Sequence, residues 1–167
     1  LTYTIPMSFL AIPFYSIMGK YGLTNNPIAV IAVEVTFATP YAIFIFQQYG
    51  ASIPLELDEA ARIDGASPLQ IFFRVYLPLM GPALASTGLL AFIAAWNEFL
   101  FALTFILTDE NRTVPVAIGL ISGNSRYEFP FGPVMAASVI VTLPLIVLVL
   151  IFQRKIVSGL TAGAVKG

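Results

Sequence analysis

Long apolar segments divided by turn residues place the strongest limit on how this chain can fold. A bilayer core about 30 Å thick requires about 20 apolar residues in a helix. The predicted membrane spans are residues 1–18, 28–48, 82–107 and 133–152. We therefore expect an all-α polytopic bundle with four spans in a single membrane domain, residues 1–167, in which residues 49–81 form a polar connecting loop.

The composition supports a membrane protein and argues against several functional classes. Hydrophobic residues make up 58% of the chain and charged residues only 10%, against about 25% charged residues in soluble domains. The net charge of −1 argues against nucleic-acid binding, which calls for a basic patch. Because Cys and His are both absent, we expect no thiol nucleophile, no histidine base, no catalytic residue and no metal site.

The polar loop at residues 49–81 begins with a predicted short helix. Residues 55–64 are good helix formers, and Asp58 and Arg62 have the i,i+4 spacing of a helical ion pair. Gly65 follows where a helix C-terminus favours a left-handed residue. The pattern predicts a helix that ends in a bend at this glycine.

A second short helix is predicted after the bend. Ser67 and Pro68 suit the N-cap and first helical positions, and Leu77-Pro78 is expected to end the helix. We call residues 55–78 the elbow. Its apolar residues are too many for a plain connector: Leu55, Leu57, Ile63, Leu69, Ile71, Phe72 and Phe73. Since exposed apolar patches mark partner sites, the elbow is predicted to dock on another protein outside the membrane.

Three motifs resemble the permease subunits of binding-protein-dependent ABC importers, and in particular the carbohydrate-uptake branch that includes the second maltose permease. They are Glu59-Ala60-Ala61 followed by Gly65 and by Val75-x-Leu77-Pro78, the segment Ala95-Trp96-Asn97-Glu98-Phe99, and the tail at residues 153–167. The family more often has Ile at the position of Val75. The resemblance covers essentially the whole chain.

The resemblance implies a role and a set of partners. The residues implied in coupling to an ATPase are Glu59, Ala60, Ala61, Asp64, Gly65, Leu77 and Pro78. The implied partners are a second permease subunit, two cytoplasmic ATPase subunits, an extracytoplasmic sugar-binding protein and the lipid bilayer of a prokaryotic cytoplasmic (inner) membrane. ATP is expected on the ATPase subunit, because this chain has no G-x-x-x-x-G-K-[ST] loop for phosphates and no expected cofactor.

The resemblance also implies six spans in a full subunit. This chain starts at Leu1, inside an apolar stretch and without a signal peptide, so we expect the first two spans to be missing. The Lys and Arg residues favour a cytoplasmic elbow and tail. One side holds Arg62, Arg74, Arg154, Lys155 and Lys166, and the other holds Lys20, Arg112 and Arg126.

Four polar or aromatic residues within the predicted spans are candidate pathway-lining residues: Glu34, Trp96, Asn97 and Glu98. An acidic side chain near the bilayer centre costs about 2.5–3.5 kcal/mol on insertion scales, so an inward face is expected for it. Asn and Glu can hydrogen-bond sugar hydroxyls, and a Trp face can stack on a sugar ring. Structural hydrogen bonding between helices is the competing interpretation, and Glu34 could also reach interfacial water.

The expected function is ATP-driven import of an oligosaccharide or polyol by alternating access, with no covalent chemistry in this chain. One alternative is a permease of the same superfamily for a peptide, polyamine or anion. A second is an intramembrane enzyme that uses Glu34 and Glu98 as a carboxylate pair, and a third is a scaffold subunit without a pathway. The spans carry no Arg or Lys to neutralise an anion, which favours a neutral solute.

Overall fold

The regular secondary structure is all helical in the part of the chain that the structure describes. The computed structural model describes residues 5–121 and 129–161, with side chains up to Gln153. In chain order the helices are α1 (Met7–Lys20), α2 (Pro27–Gly50), α3 (Leu55–Ile63), α4 (Pro68–Ile71), α5 (Leu77–Leu79), α6 (Gly81–Trp96), α7 (Leu100–Phe105), α8 (Val114–Gly119) and α9 (Phe131–Thr161). A π-helical turn, Phe72–Tyr76, joins α4 to α5, and a 3-10 turn lies at Asp109–Asn111. The predicted all-α class is confirmed.

Two of the described helices are long and apolar enough to cross a membrane, namely Pro27–Gly50 and the Phe131–Gln153 part of α9. A third crossing is reached if Pro68–Leu79 and Gly81–Trp96, which meet at a 70° bend, form one broken span. The predicted span at 133–152 lies within α9, and the one at 28–48 lies within α2.

The other two predicted spans differ from the helices observed. α1 has 14 residues, which is short of the length that a bilayer crossing needs. The segment 82–107 was expected as one helix, but α6 stops at Trp96 and α7 adds only six residues after an interruption at 97–99. At the interruption, the Glu98 carboxylate accepts the Phe101 and Ala102 N–H groups in place of carbonyls of the preceding turn. The Asn97 side chain adds a second bond to the Ile93 carbonyl, which also accepts the Asn97 backbone N–H at the end of α6.

Contacts between residues divide the chain into two compact units. The first is drawn from Leu1–Thr39 and Phe92–Val147, and the second from Pro40–Ala91 and Leu148–Gly167. Elements that cross a boundary, such as α2 and α6, therefore contribute one part to each unit.

The first unit has an aromatic core built by α1, α2 and α7. The Phe37 ring stacks on Phe101 at a centroid distance of 5.7 Å, and Phe14 meets both rings edge-on at 6.1 Å. Phe101 and Phe105 lie on α7 and are almost fully buried. Packing of these rings fixes the short helix α7, whose six residues would not hold a helix alone.

Asn25 joins two loops of the first unit. Its backbone is left-handed, with φ of 58°, and its N–H donates to the Phe105 carbonyl at 2.8 Å. Its Oδ1 accepts from the backbone N–H groups of Leu107 and Thr108 at 2.9 and 3.0 Å, and from the Thr108 hydroxyl at 3.1 Å. The loop after α1 is thereby tied to the loop after α7.

Candidate functional site

The elbow in the second unit begins with a helix that ends as its sequence predicts. Gly65 has φ of +80°, its N–H donates to the Arg62 carbonyl at 3.0 Å, and the Ala66 N–H donates to the Ala61 carbonyl at 3.0 Å. These two bonds form the Schellman motif of a helix end. The predicted ion pair is also present, because Arg62 Nε lies 2.9 Å from Asp58 Oδ2. The predicted left-handed glycine bend is confirmed.

The second arm of the elbow starts with a capping box. The Ser67 N–H donates to Gln70 Oε1 at 2.8 Å, and the Gln70 N–H donates to Ser67 Oγ at 3.4 Å, with Pro68 in the first turn. This arrangement satisfies the donors that a helix start leaves without an intrahelical partner. Ser67 is therefore the N-cap that the sequence predicts.

Leu77-Pro78 does not end the second arm, and that prediction is wrong. The Leu77 N–H donates to the Phe72 carbonyl five residues back, which widens the turn ahead of Pro78 into a π-helical one. A proline lacks an N–H and its ring clashes with the carbonyl four residues earlier, here that of Arg74. The wider turn lets the helix continue to Leu79 before the 70° bend.

The elbow presents an apolar surface beside a small cleft. Ile63 is 86% exposed and Leu69 is 71% exposed, one on each side of Gly65. Glu59 and Ala60 are also exposed on α3. The cleft has a volume of about 340 Å³ and is lined by Ala61, Asp64, Gly65, Ala66, Gln70, Ile71, Arg74 and Val75. Of the predicted coupling residues, Ala61, Asp64 and Gly65 line this cleft, while Glu59, Ala60, Leu77 and Pro78 are not among its lining residues.

The first unit contains a second cleft beside the interruption between α6 and α7. It has a volume of about 280 Å³, and we call it the Trp96 cleft. Its lining comes from Trp96, Asn97, Pro115, Ile118, Ser138, Val141, Thr142 and Leu145. The Phe92 ring supports the Trp96 indole at a centroid distance of 5.3 Å. A volume of this size lies at the small end of ligand sites.

The polar groups of the Trp96 cleft are uncharged. Ser138 Oγ donates to the Val134 carbonyl at 2.8 Å, and Thr142 Oγ1 donates to the Ser138 carbonyl at 2.7 Å. Because a hydroxyl has one donor and two acceptor lone pairs, both oxygens keep acceptor capacity. The Asn97 amide donates once, to the Ile93 carbonyl at 2.7 Å, which leaves its oxygen and a second N–H. The cleft therefore offers hydrogen bonds without a formal charge.

Of the four candidate pathway residues, Trp96 and Asn97 line the cleft, while Glu34 and Glu98 are not among its lining residues. Glu34 lies partly buried on α2. Both carboxylate oxygens of Glu98 accept backbone N–H groups of α7, which favours the structural interpretation of this residue.

Sequence reasoning missed two hydroxyls of the cleft. It included neither Ser138 nor Thr142 among the candidate pathway-lining residues. The available signal was their i,i+4 spacing, which puts both hydroxyls on one face of α9.

Comparison with known proteins identifies the family. Residues 1–161 match the family model described as "Binding-protein-dependent transport system inner membrane component". The chain belongs to this family. The family resemblance drawn from the three sequence motifs is therefore confirmed.

Several curated relatives are named as sugar permeases. The chain is 43% identical over 162 residues to the trehalose transport system permease protein SugB of Mycobacterium tuberculosis, covering 97% of this chain and 59% of that protein. It is 49% identical over 153 residues to the trehalose/maltose transport system permease protein MalG of Thermococcus litoralis, covering 92% of this chain and 55% of that protein. The chain thus spans little more than half the length of these relatives.

A solved structure shares the fold. The match is to a chain in the crystal structure of a bacterial ABC transporter involved in the import of the acidic polysaccharide alginate, with a TM-score of 0.70 and 29% identity. It covers 86% of this chain and 55% of that one. The helices described above are therefore those of an ABC transporter fold.

Proposed function

We propose that the chain is part of a permease subunit that imports a neutral sugar or polyol, driven by ATP hydrolysis on separate ATPase subunits. It pairs with a second permease subunit, receives solute from an extracytoplasmic binding protein, and makes and breaks no covalent bond. The solute crosses by alternating access, in which the ATPases move the helices through the elbow.

The observation that carries the proposal is the geometry of the elbow. Two short helices meet at the left-handed Gly65, and Ile63 and Leu69 on either side are exposed. Exposed apolar side chains on a bend that is fixed by capping at both arms suit a rigid docking element. Glu59, Ala60 and Ala61 on α3 are the contact residues that we assign to the ATPase, with Asp64 and Gly65 setting the bend.

The second arm of the elbow connects docking to the membrane segments. Leu77 and Pro78 lie between the π-helical turn and the 70° bend into α6. A force on the elbow therefore acts on a helix that already contains a defined bend, which is where we place the transmission of ATPase movement.

The Trp96 cleft supports a neutral solute. Its lining contains an indole, an amide and two hydroxyls but no charged side chain. Sugar hydroxyls can donate to the oxygens of Ser138 and Thr142, and a sugar ring can pack on the face of Trp96. A charged solute would need an opposite charge in this apolar setting. Trehalose and arabinooligosaccharide permeases among the relatives support this choice, whereas the matching solved structure is of an importer of the acidic polysaccharide alginate.

The proposed topology keeps four spans in this chain, and α1 counts as one of them although its 14 residues are fewer than a straight crossing needs. It assigns six spans to a whole subunit and puts both the elbow and the tail in the cytoplasm. The interrupted α6–α7 segment then counts as one crossing, as broken helices do where they line a cavity. None of the Phe131–Gln153 part of α9 is buried within this chain. Such an apolar helix is expected to be surrounded by further subunits or by lipid.

The test is uptake of radiolabelled solutes by cells that carry the whole assembly, with and without this subunit. We expect loss of this subunit to abolish uptake of a neutral sugar such as trehalose, maltose or an arabinooligosaccharide. Loss confined to an amino acid, a peptide or a polyamine would refute the proposal.

A matched pair of variants tests the cleft in the same assay. Thr142→Val removes a hydroxyl of the cleft, whereas Thr36→Val removes a hydroxyl that makes the same kind of bond, to the Ala32 carbonyl at 2.8 Å, outside the cleft. We expect a several-fold higher KM for sugar uptake with Thr142→Val and no change with Thr36→Val. Equal behaviour of the two variants would remove the cleft from the pathway.

A further inference from the structure

Two adjacent side chains hold the interruption between α6 and α7, because one bonds the end of the helix before it and the other bonds the start of the helix after it. Asn97 closes α6. Its backbone N–H donates to the Ile93 and Ala94 carbonyls, both at 3.2 Å, and its side-chain Nδ2 donates to the Ile93 carbonyl at 2.7 Å. Asn97 therefore hydrogen-bonds carbonyl groups in the last turn of α6, and it also lines the cleft beside that turn.

Glu98 opens α7 in a complementary way. The N-cap residue, Phe99, has no oxygen in its side chain and makes no capping bond. Glu98 replaces it, since Oε1 accepts from the Phe101 N–H at 2.7 Å and Oε2 accepts from the Ala102 N–H at 2.8 Å. Bonds of this kind, between a carboxylate and backbone N–H groups, are stronger than those between neutral groups.

The two N–H groups belong to residues that cannot turn to water. Phe101 is 1% exposed and Ala102 is fully buried. Phe101 also stacks on Phe37 in the aromatic core. Without the carboxylate, both donors would be left unsatisfied among apolar side chains, or the start of α7 would have to move. Glu98 thus ties the core of the first unit to the interruption.

We propose that Glu98 is a positioning residue for the Trp96 cleft. By capping α7 it fixes the interruption in the geometry where Trp96 and Asn97 line the cleft, and so sets the affinity for solute without contacting the solute. Glu98 itself is absent from the lining of the cleft. The inference rests on the proposed function in one respect, namely that the cleft holds the solute.

The variants separate capping from solute contact. Glu98→Ala removes both acceptors. The double variant Glu98→Ala with Phe99→Ser offers a replacement acceptor at the N-cap, where a serine bonds the N–H of the second or third helical residue once the backbone of residue 99 turns from ψ of −43° to an extended conformation. Phe99→Ser alone is the control for lost packing. Glu98→Gln, which keeps one carbonyl acceptor, serves if Glu98→Ala does not assemble.

The first readout is hydrogen exchange of residues 99–105 in the complete assembly in lipid nanodiscs, which needs no solute. We expect Glu98→Ala to exchange about tenfold faster or more in this segment, Glu98→Gln to fall between it and wild type, and the double variant to regain most of the protection. Unchanged exchange in both Glu98→Ala and Glu98→Gln would overturn the inference.

The second readout is the KM of trehalose and maltose uptake, measured beside ATP hydrolysis without sugar. We expect Glu98→Ala to raise KM at least several-fold, to leave hydrolysis without sugar unchanged, and to be rescued together with exchange in the double variant. A KM defect that persists although protection is restored would show that Glu98 contacts solute, and would overturn the inference. If wild type takes up no sugar, the proposed function fails, while the exchange result still decides whether Glu98 caps α7.

Discussion

Replacement of Asn25 tests how the first unit is held together. Asn25→Ala removes three hydrogen bonds to Oδ1, and it places at φ of 58° an alanine, which tolerates the left-handed region less well than asparagine does. Leu107 and Thr108 are exposed, so water can replace the lost partner. Each bond therefore contributes about 0.5 kcal/mol to local stability, at the low end of the range for neutral hydrogen bonds. The left-handed backbone adds about 1 kcal/mol. The expected loss is therefore about 2–3 kcal/mol in local stability.

Two further substitutions divide this loss into its parts. Asn25→Gly loses the bonds but tolerates the left-handed backbone, so it should cost about 1 kcal/mol less than Asn25→Ala. Asn25→Asp keeps the acceptor and tolerates the same backbone, so it should lie close to wild type.

Hydrogen exchange of residues 106–111 in the assembled complex measures the effect, since 1.4 kcal/mol corresponds to about a tenfold change in protection. Protection should fall in the order wild type, Asp, Gly, Ala. The reasoning is refuted if Asp is as damaging as Ala, or if Ala is no worse than Gly.

Three further predictions concern the elbow and its orientation. Gly65→Val should leave the spans inserted but weaken ATPase binding or coupling, because φ of +80° is unfavourable for a β-branched residue, although no atom lies within 4 Å of an added Cβ. Gly65→Asn should have a milder effect on transport, and equal transport by the two variants would argue against the role of the bend. Glu59→Lys should reduce co-purification of the ATPase, and normal co-purification with normal transport would exclude Glu59 from the interface. Cysteines at positions 67 and 158 should be shielded from a membrane-impermeant thiol reagent in intact cells while one at position 122 is labelled; labelling at 158 from outside would reverse the proposed orientation.

The elbow could be predicted from the sequence because its signals are local. Gly65 marks a left-handed helix end, and Ser67-Pro68 marks a helix start, each within a few residues of the bonds that it forms. The π-helical turn before Pro78 was not predicted, since a proline after a helical run equally favours an end. Which outcome occurs depends on whether the preceding turn can widen.

The Trp96 cleft could be predicted only in part. Polar residues within an apolar segment pointed to Trp96 and Asn97, but Thr142 comes from a helix more than forty positions further along the chain. Hydropathy also predicted a continuous helix at 82–107. The mean hydropathy of a segment carries no information about capping, and here the Glu98 side chain bonds the backbone at the start of α7. The hydrogen bonds of Asn25 were not predicted, because its partners lie some 82 and 83 positions away along the chain.

The most direct test of the proposed function is ATP hydrolysis by the complete transporter in proteoliposomes, with the cognate binding protein added either empty or loaded with a defined solute. We expect faster hydrolysis with the binding protein loaded with trehalose or maltose, and accumulation of that sugar in the lumen. We expect no such stimulation by a peptide or a polyamine. Hydrolysis that no neutral sugar stimulates, or that a peptide or polyamine does stimulate, would contradict the proposed function.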